Sequence, residues 1–291
     1  MTTSSPRTIR PSVIAGSWYP GTEKALARTV DEYLAHVDQE PIAGDLLGLI
    51  SPHAGYVYSG QTAAYAYHHL EGQEFDTVVL MGPSHRAWVG GVAASTEDAY
   101  ATPLGLVPLD RNFLDLLGER LTLHSIHGDQ EHALEIQLPF LQRQLGDFAL
   151  VPLMMNADEP QAARRLAAAL AEVIQQRSVE GKRTLLVASS DLHHIPDYAE
   201  VVRRDRAVVD AVDAYDLETL TQRLMDPRSS VCGRIPILAV LHAARQLGAD
   251  ATRVLHYTNS GDVTGQRTPG QYTVGYMAAA VYRSWPTSTS S

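Results

Sequence analysis

Three apolar runs in this chain each end in a short polar turn that presents histidine. Leu46-Leu47-Gly48-Leu49-Ile50 runs into His53, Val78-Val79-Leu80-Met81 into His85, and Leu185-Leu186-Val187 into Asp191, His193 and His194. Short apolar runs bounded by turn residues read as buried strands, and segments of helical spacing lie between them. In an open α/β sheet ligands bind outside the carboxyl ends of the strands, so side chains distant in sequence are predicted to converge there. Imidazole is the commonest protein ligand for a transition metal. The repeated strand-then-histidine theme therefore predicts an α/β fold with a candidate metal site at one rim of its sheet.

The remaining patterning fits that architecture. Leu26, Val30, Tyr33, Leu34 and Val37 follow helical spacing from a Thr22 N-cap, and 59–70 reads as the next helix before a strand over 76–81. His53 and His85 thus flank one β-α-β unit, which returns to the same edge of a parallel sheet. Shorter strands are predicted over 92–95 and 106–109, paired antiparallel around Thr102-Pro103. The segment 131–145 reads as a helix that Pro139 kinks or divides. A strand over 149–155, an alanine-rich helix over 160–176 and a strand over 184–188 follow, then helices at about 197–214 and 216–225. A helix over 236–247 opens with Pro236 and stops at Gly248, and strands over 253–258 and 272–282 close the chain. Helices alternating with strands predict a three-layer α/β/α sandwich on a mixed, largely parallel central sheet. It forms a single domain over 11–283, with 1–10 and 284–291 as flexible polar tails.

Composition narrows the function. The 291 residues carry 23 Lys+Arg against 33 Asp+Glu, a formal charge of -10, and no stretch joins basic residues to aromatics, which argues against a nucleic-acid partner. Apolar stretches are interrupted by Gly, Pro or His well short of the ~20 residues that span a bilayer, so no membrane insertion is expected. A single cysteine forms no internal disulfide, and the polar start from Met1 to Pro11 has no secretory apolar run; the expected compartment is the cytoplasm.

His53 lies in Ser51-Pro52-His53-Ala54-Gly55-Tyr56 and His85 in Gly82-Pro83-Ser84-His85, two Gly/Pro turns at strand ends. Either histidine alone reads as a solvent-exposed turn residue; the shared context points to a shared site. Cys232 precedes Gly233-Arg234-Ile235-Pro236 at a helix start, where the macrodipole and the Arg234 guanidinium favour thiolate, the form a metal binds; the plain alternative is a small buried hydrophobe. Among Asp191, His193 and His194, consecutive side chains cannot all face one point. His194 is assigned inward as a proton carrier, with Asp191 beside it, and His193 outward to solvent. Glu131 and His132, with His127 and Glu135 nearby, could orient a ligand through its second ring nitrogen, or simply be helix-start charge. Trp18, in Gly16-Ser17-Trp18-Tyr19-Pro20, and Tyr56 either wall a pocket or pack the core.

These blocks, together with Ser189-Ser190-Asp191, resemble the Memo family in order and spacing over roughly 11–282. Memo proteins are similar in fold to the class III extradiol ring-cleaving dioxygenases. The resemblance implies His53, His85 and Cys232 as metal ligands, Fe(II) or Cu as the ion with Zn also possible, and His194 as the acid/base residue with Asp191 beside it. It also implies bacterial relatives named as protein B of the AmmeMemoRadiSam system, with a radical-SAM protein and an AMMECR1-like protein as partners. Where the dioxygenases complete their iron site with a carboxylate, this chain offers a softer thiolate, which shifts metal preference toward copper or zinc. The expected function is a metal-dependent, dioxygenase-like oxidoreductase. The alternative is a non-catalytic module that uses Trp18, Tyr56 and the cleft to hold a small molecule or peptide.

Overall fold

The computed structural model describes residues 8–156 and 159–285. Four parallel strands form the centre of a nine-stranded sheet, in the order Gly44–Ser51, Thr184–Ser189, Thr77–Pro83 and Ala149–Met155. Every residue of Thr77–Pro83 and of Thr184–Ser189 is buried. Strands covered on both faces need such continuous apolar runs, which is why these segments do not alternate. The flanks are antiparallel. Thr273–Ser284 runs against Gly44–Ser51 and carries Ala251–Asn259 and His194–Ile195 on its other edge. At the opposite end Val92–Ser95 runs antiparallel to Ala149–Met155 and parallel to Leu123–Ile126.

Helices flank this sheet. Arg234–Gln246 packs on the central strands and against Pro160–Val179, while Tyr56–Tyr67 packs on Gly44–Ser51 and Thr273–Ser284 and against Glu23–Ala35 and Leu138–Leu145. Arg234–Gln246 is apolar nearly all round, with Ile235, Ile237, Leu238, Val240 and Leu241 buried, the composition of an interior helix. Gly48 lets it come close: a Cβ there would lie 2.9 Å from a Val240 methyl and 3.0 Å from the Leu186 carbonyl oxygen. The result is the expected three-layer α/β/α sandwich on a mixed, largely parallel sheet. Among the described residues no helix is long and apolar enough to cross a membrane.

Several expectations need correction. The strands that lead into His53 and His85 lie parallel in one sheet, as a β-α-β unit requires, but not side by side: Thr184–Ser189 lies between them. The hairpin around Thr102 joins Ala99–Thr102 to Gly105–Pro108; Val92–Ser95 belongs to the large sheet, where its apolar residues find a partner. Pro139 divides the 131–145 segment into His132–Glu135 and Leu138–Leu145, taking a first-turn position where its missing N–H is no loss. The last long helix begins at Arg234, with Pro236 inside its first turn. The stretch 1–10 is not all tail: residues 1–7 lie outside the described residues, but Ile9–Arg10 forms a strand beside Ala99–Thr102, and Arg10 is fully buried. Ser284, assigned to the other tail, ends the strand Thr273–Ser284, and 286–291 lie outside the described residues.

Candidate metal centre

The carboxyl ends of Gly44–Ser51, Thr77–Pro83 and Thr184–Ser189 deliver His53, His85 and the Asp191–His194 turn to one rim. Cys232 reaches the same place from the turn before Arg234–Gln246. Its approach depends on Gly233, where a Cβ would lie 2.4 Å from Ser190 Cβ and 2.6 Å from the Ser189 carbonyl oxygen. The Cys232 Sγ is 3.1 Å from His53 Nε2, and ligand atoms of His53, His85 and Cys232 all lie within 4.8 Å of one another.

Hydrogen bonds fix which nitrogen each ring presents. Ser189 Oγ donates to the Ala133 carbonyl oxygen at 2.6 Å and accepts from Gln137 Nε2 at 2.8 Å, so towards His53 Nδ1, at 3.0 Å, it can only accept. The proton therefore sits on Nδ1 of His53, and Nε2 turns a lone pair toward Cys232. His85 repeats the device: its Nδ1 lies 2.9 Å from Glu131 Oε1, while Glu131 Oε2 accepts its backbone N–H at 2.6 Å. A carboxylate or hydroxyl that holds Nδ1–H leaves Nε2 as the basic nitrogen, the arrangement found behind metal-ligating imidazoles.

The electrostatics suit a cation. Burial, then the nearby His85 ring, pushes His53 down to about 3, so its imidazole is neutral and able to ligate at physiological pH. Burial, then the Asp191 carboxylate, pushes the Cys232 thiol well above its usual range. The expected pull of the helix start and Arg234 toward thiolate is opposed here by burial and by the Asp191 carboxylate. A thiol held protonated in this way beside two basic imidazole nitrogens is a donor set that a divalent or soft monovalent metal ion would deprotonate and bind. Burial alone would raise the Glu131 carboxyl, but the His85 ring and the Ala133 N–H outweigh it and hold it down to about 2. Asp191 is pushed up to about 6 by burial, against the pull of His194 and of the His53 backbone N–H that it accepts at 2.7 Å.

A cavity of about 600 Å³ opens over the cluster, with His53, His85, His132, Asp191 and His194 at its floor and Trp18, Tyr58 and Tyr272 among its walls. His194 is the inward histidine. Its Nε2 is buried without a hydrogen-bond partner among the described residues, and burial lowers its pKa. His193 is not solvated as expected: it is 3% exposed, turned to the other side of the turn, with Nδ1 2.8 Å from Asp205 Oδ1. His132 does more than assist Glu131. Its ring lies between Trp18 and His85, centroids 4.3 and 4.7 Å away, and itself faces the cavity. Tyr56 sits behind the wall, 3% exposed, its hydroxyl donating to the Ile136 carbonyl; Tyr58, two residues on, lines the cavity in its place. Arg234 lines a smaller cleft on the far side, shared with His85 and Cys232.

Other expected partners lie elsewhere. His127 pairs with Glu97, and Glu135 is occupied by Arg10, Ser12 and Tyr19. Residues that position the cluster but were not assigned to it from the sequence are Ser189, Gln137 and Arg10, whose Nη2 donates to the Glu131 carbonyl oxygen at 2.6 Å. Only the Ser-Ser-Asp block hinted at the first of them.

A family model described as Memo-like protein matches residues 10–280. A "MEMO1 family protein" of Methanococcoides burtonii is 34% identical over 275 residues, 94% of this chain and 100% of that protein. Proteins of the same name from Methanosarcina mazei and Nitrosopumilus maritimus are 36% and 31% identical, covering 94% and 93% of this chain and 99% and 98% of their own lengths.

Proposed function

The chain belongs to the Memo-like protein family, and from that premise we propose that it is a metal-dependent oxidoreductase whose ion, Fe(II) or Cu, is held by His53, His85 and Cys232. The observation that supports this most directly is that His53 and His85, each with Nδ1 held by a neighbouring group, bring ligand atoms within 4.8 Å of one another and of the Cys232 sulfur. Held by these three residues, such an ion would supply redox chemistry to a ligand bound in the cavity.

The chain's own residues bind, orient and move protons. His194 is neutral at physiological pH, so its unpartnered Nε2 can take a proton from a ligand in the cavity and return it. Asp191, tied to the His53 and Ala54 backbone N–H groups, holds the turn that aims His194. Trp18 and Tyr58 offer flat apolar walls that hold a small organic substrate and exclude water. A reducing cytoplasm is the setting this reading takes, because an oxidisable thiol is one of its ligands.

Elemental analysis after anaerobic reconstitution tests the proposal. Near-stoichiometric iron or copper is expected in the unaltered chain and is lost in Cys232→Ser, with oxygen uptake following the metal. Absence of bound iron and copper after reconstitution would overturn it, and zinc alone would point to hydrolytic chemistry in the same cage.

A further inference from the structure

His193 and His194 leave the same strand end in opposite directions. His194 faces the large cavity, and His193 backs a second pocket of about 90 Å³. The His193 ring is firmly set: Asp205 Oδ1 lies 2.8 Å from Nδ1 and accepts the residue's own backbone N–H at 3.0 Å, while Oδ2 accepts the Tyr257 hydroxyl at 3.0 Å. A Cβ on Gly275 would lie 1.8 Å from Asp205 Oδ2, so only glycine lets the carboxylate sit there. With Nδ1 held, Nε2 is the ring nitrogen available to a ligand.

The remaining walls carry four arginines, with one carboxylate, Asp226, and the apolar Ala207 and Val208. Arg203 and Arg204 come from the helix Tyr198–Asp213, Arg223 from Leu217–Leu224, and Arg228 with Ser229 from the loop that follows. Four guanidinium groups around one small pocket stand out in a chain with only 23 Lys+Arg against 33 Asp+Glu. Local carboxylates do not balance them. Glu200 is shared by Arg203 and Arg204, Asp226 pairs with Arg228, and Arg223 has no carboxylate partner among the described residues. Ser229 Oγ is buried without a hydrogen-bond partner among the described residues, an atom that in a native protein calls for a ligand or water.

We propose that this pocket binds a phosphate-type dianion, as free phosphate or as the phosphoryl group of a small monoester. Guanidinium groups match the oxygens of such an anion in both charge and planar donor geometry, and the volume admits one tetrahedral oxyanion but no nucleoside. The site also touches the machinery of the metal centre. Arg204 Nη1 donates to the Arg228 carbonyl oxygen at 2.8 Å, joining helix to loop across the pocket. Ser229 is followed by Ser230, whose Oγ accepts the His194 backbone N–H at 2.9 Å, and then, two residues on, by Cys232. An anion that draws these walls together restrains the loop that carries the sulfur and the strand that carries His194. The inference stands apart from the metal reading, because no residue of the pocket is a metal ligand.

Titration calorimetry of the full chain at fixed ionic strength, with inorganic phosphate and with glycerol 3-phosphate, tests it. Saturable binding is expected, weakened about tenfold or more in Arg223→Gln, the loss of one charge-assisted contact. It should be unchanged in Arg143→Gln, an arginine outside the pocket. Tighter binding of the ester assigns the site to an esterified phosphoryl group, and tighter binding of inorganic phosphate to the free ion. In the metal-free chain, phosphate should slow alkylation of Cys232, the only thiol, severalfold, and not in Arg223→Gln. No saturation below about 10 mM, a range weaker than physiological ligands use, overturns the proposal, as does affinity indifferent to Arg223→Gln and Ser229→Ala. Binding that leaves the alkylation rate unchanged overturns the link to the metal centre.

Discussion

Two buried polar clusters lie side by side in this protein and are built on opposite principles. Around Arg10 every group is answered. Its guanidinium meets Glu135, Asp129, the Pro11 carbonyl and the Glu131 carbonyl, and it lies 4.9 Å over the Tyr100 ring. The carboxylates are completed by the Tyr100 and Tyr19 hydroxyls, Ser12 and the Val13 N–H. Around His53 the accounts stay open. Among the described residues His194 Nε2 has no hydrogen-bond partner, and His132 Nδ1, although 3.2 Å from Glu131 Oε1, is not aligned to bond with it. The Cys232 thiol has only weak sulfur contacts. Buried polar groups are nearly always satisfied, so a closed network reads as architecture and an open one as a ligand site. The two meet at Glu131, whose carbonyl belongs to the first and whose carboxylate to the second.

Opening the closed cluster should destabilise the fold directly. Arg10→Ala strands the Asp129 and Glu135 carboxylates in the interior, and removing one partner of a buried pair costs about 3–5 kcal/mol. Chemical denaturation of the metal-free protein should show that loss. A change below about 1 kcal/mol would mean that the cluster is not the closed structural unit described.

Acid should distinguish the clusters next. His53 and His132 are each pushed down to about 3, both mainly by burial, so below the ordinary imidazole value of ~6.5 the unfolded chain binds protons that the folded chain refuses. Stability is therefore undiminished by these rings above pH ~6.5. It falls as the pH drops toward 3, by up to about 1.4 kcal/mol per pH unit for each ring. Glu131, held below its usual range, adds to the loss in the same direction once its unfolded form begins to protonate. A flat denaturation profile between pH 6.5 and 4 would contradict the burial of neutral imidazoles.

At the junction, Glu131→Gln removes the carboxylate behind His85 Nδ1 while keeping the side chain's shape. Loss of such a supporting group weakens metal binding by about 10–100-fold, or about 1.4–2.7 kcal/mol. Competition with a chromophoric chelator would measure it. Unaltered affinity would detach Glu131 from the metal site.

The sequence carried the open cluster better than the closed one, for a physical reason. His53, His85 and Asp191 follow apolar runs through Gly/Pro turns, a local pattern that places them at strand ends before any tertiary contact is known. Arg10 sits in a polar stretch beside the start of the chain, and its burial depends on Asp129 and Glu135 more than a hundred residues away, which no local pattern encodes. The same limit explains His193: its fate rests on Asp205 and on a close approach at Gly275, not on its neighbours. The parallel centre of the sheet was legible from unbroken apolar runs. The insertion of Thr184–Ser189 between the two histidine strands was not, because strand order is set by crossover geometry rather than by any one segment.

The smallest expected effect tests the comparison from the other side. If the open cluster serves a ligand rather than the fold, emptying it should leave the metal-free protein standing. Cys232→Ala deletes one sulfur, whose best contact is 3.1 Å from His53 Nε2, and a buried thiol that hardly ionises contributes no ion pair. The loss amounts to this weak contact, which leaves His53 Nε2 facing the cavity, and a small volume. The net change in metal-free stability should stay within about 1 kcal/mol of zero, while metal affinity falls beyond the effect of Glu131→Gln. A loss of several kcal/mol without metal would make Cys232 a core residue, and the open cluster would then have to be counted as part of the same structural scaffold as Arg10.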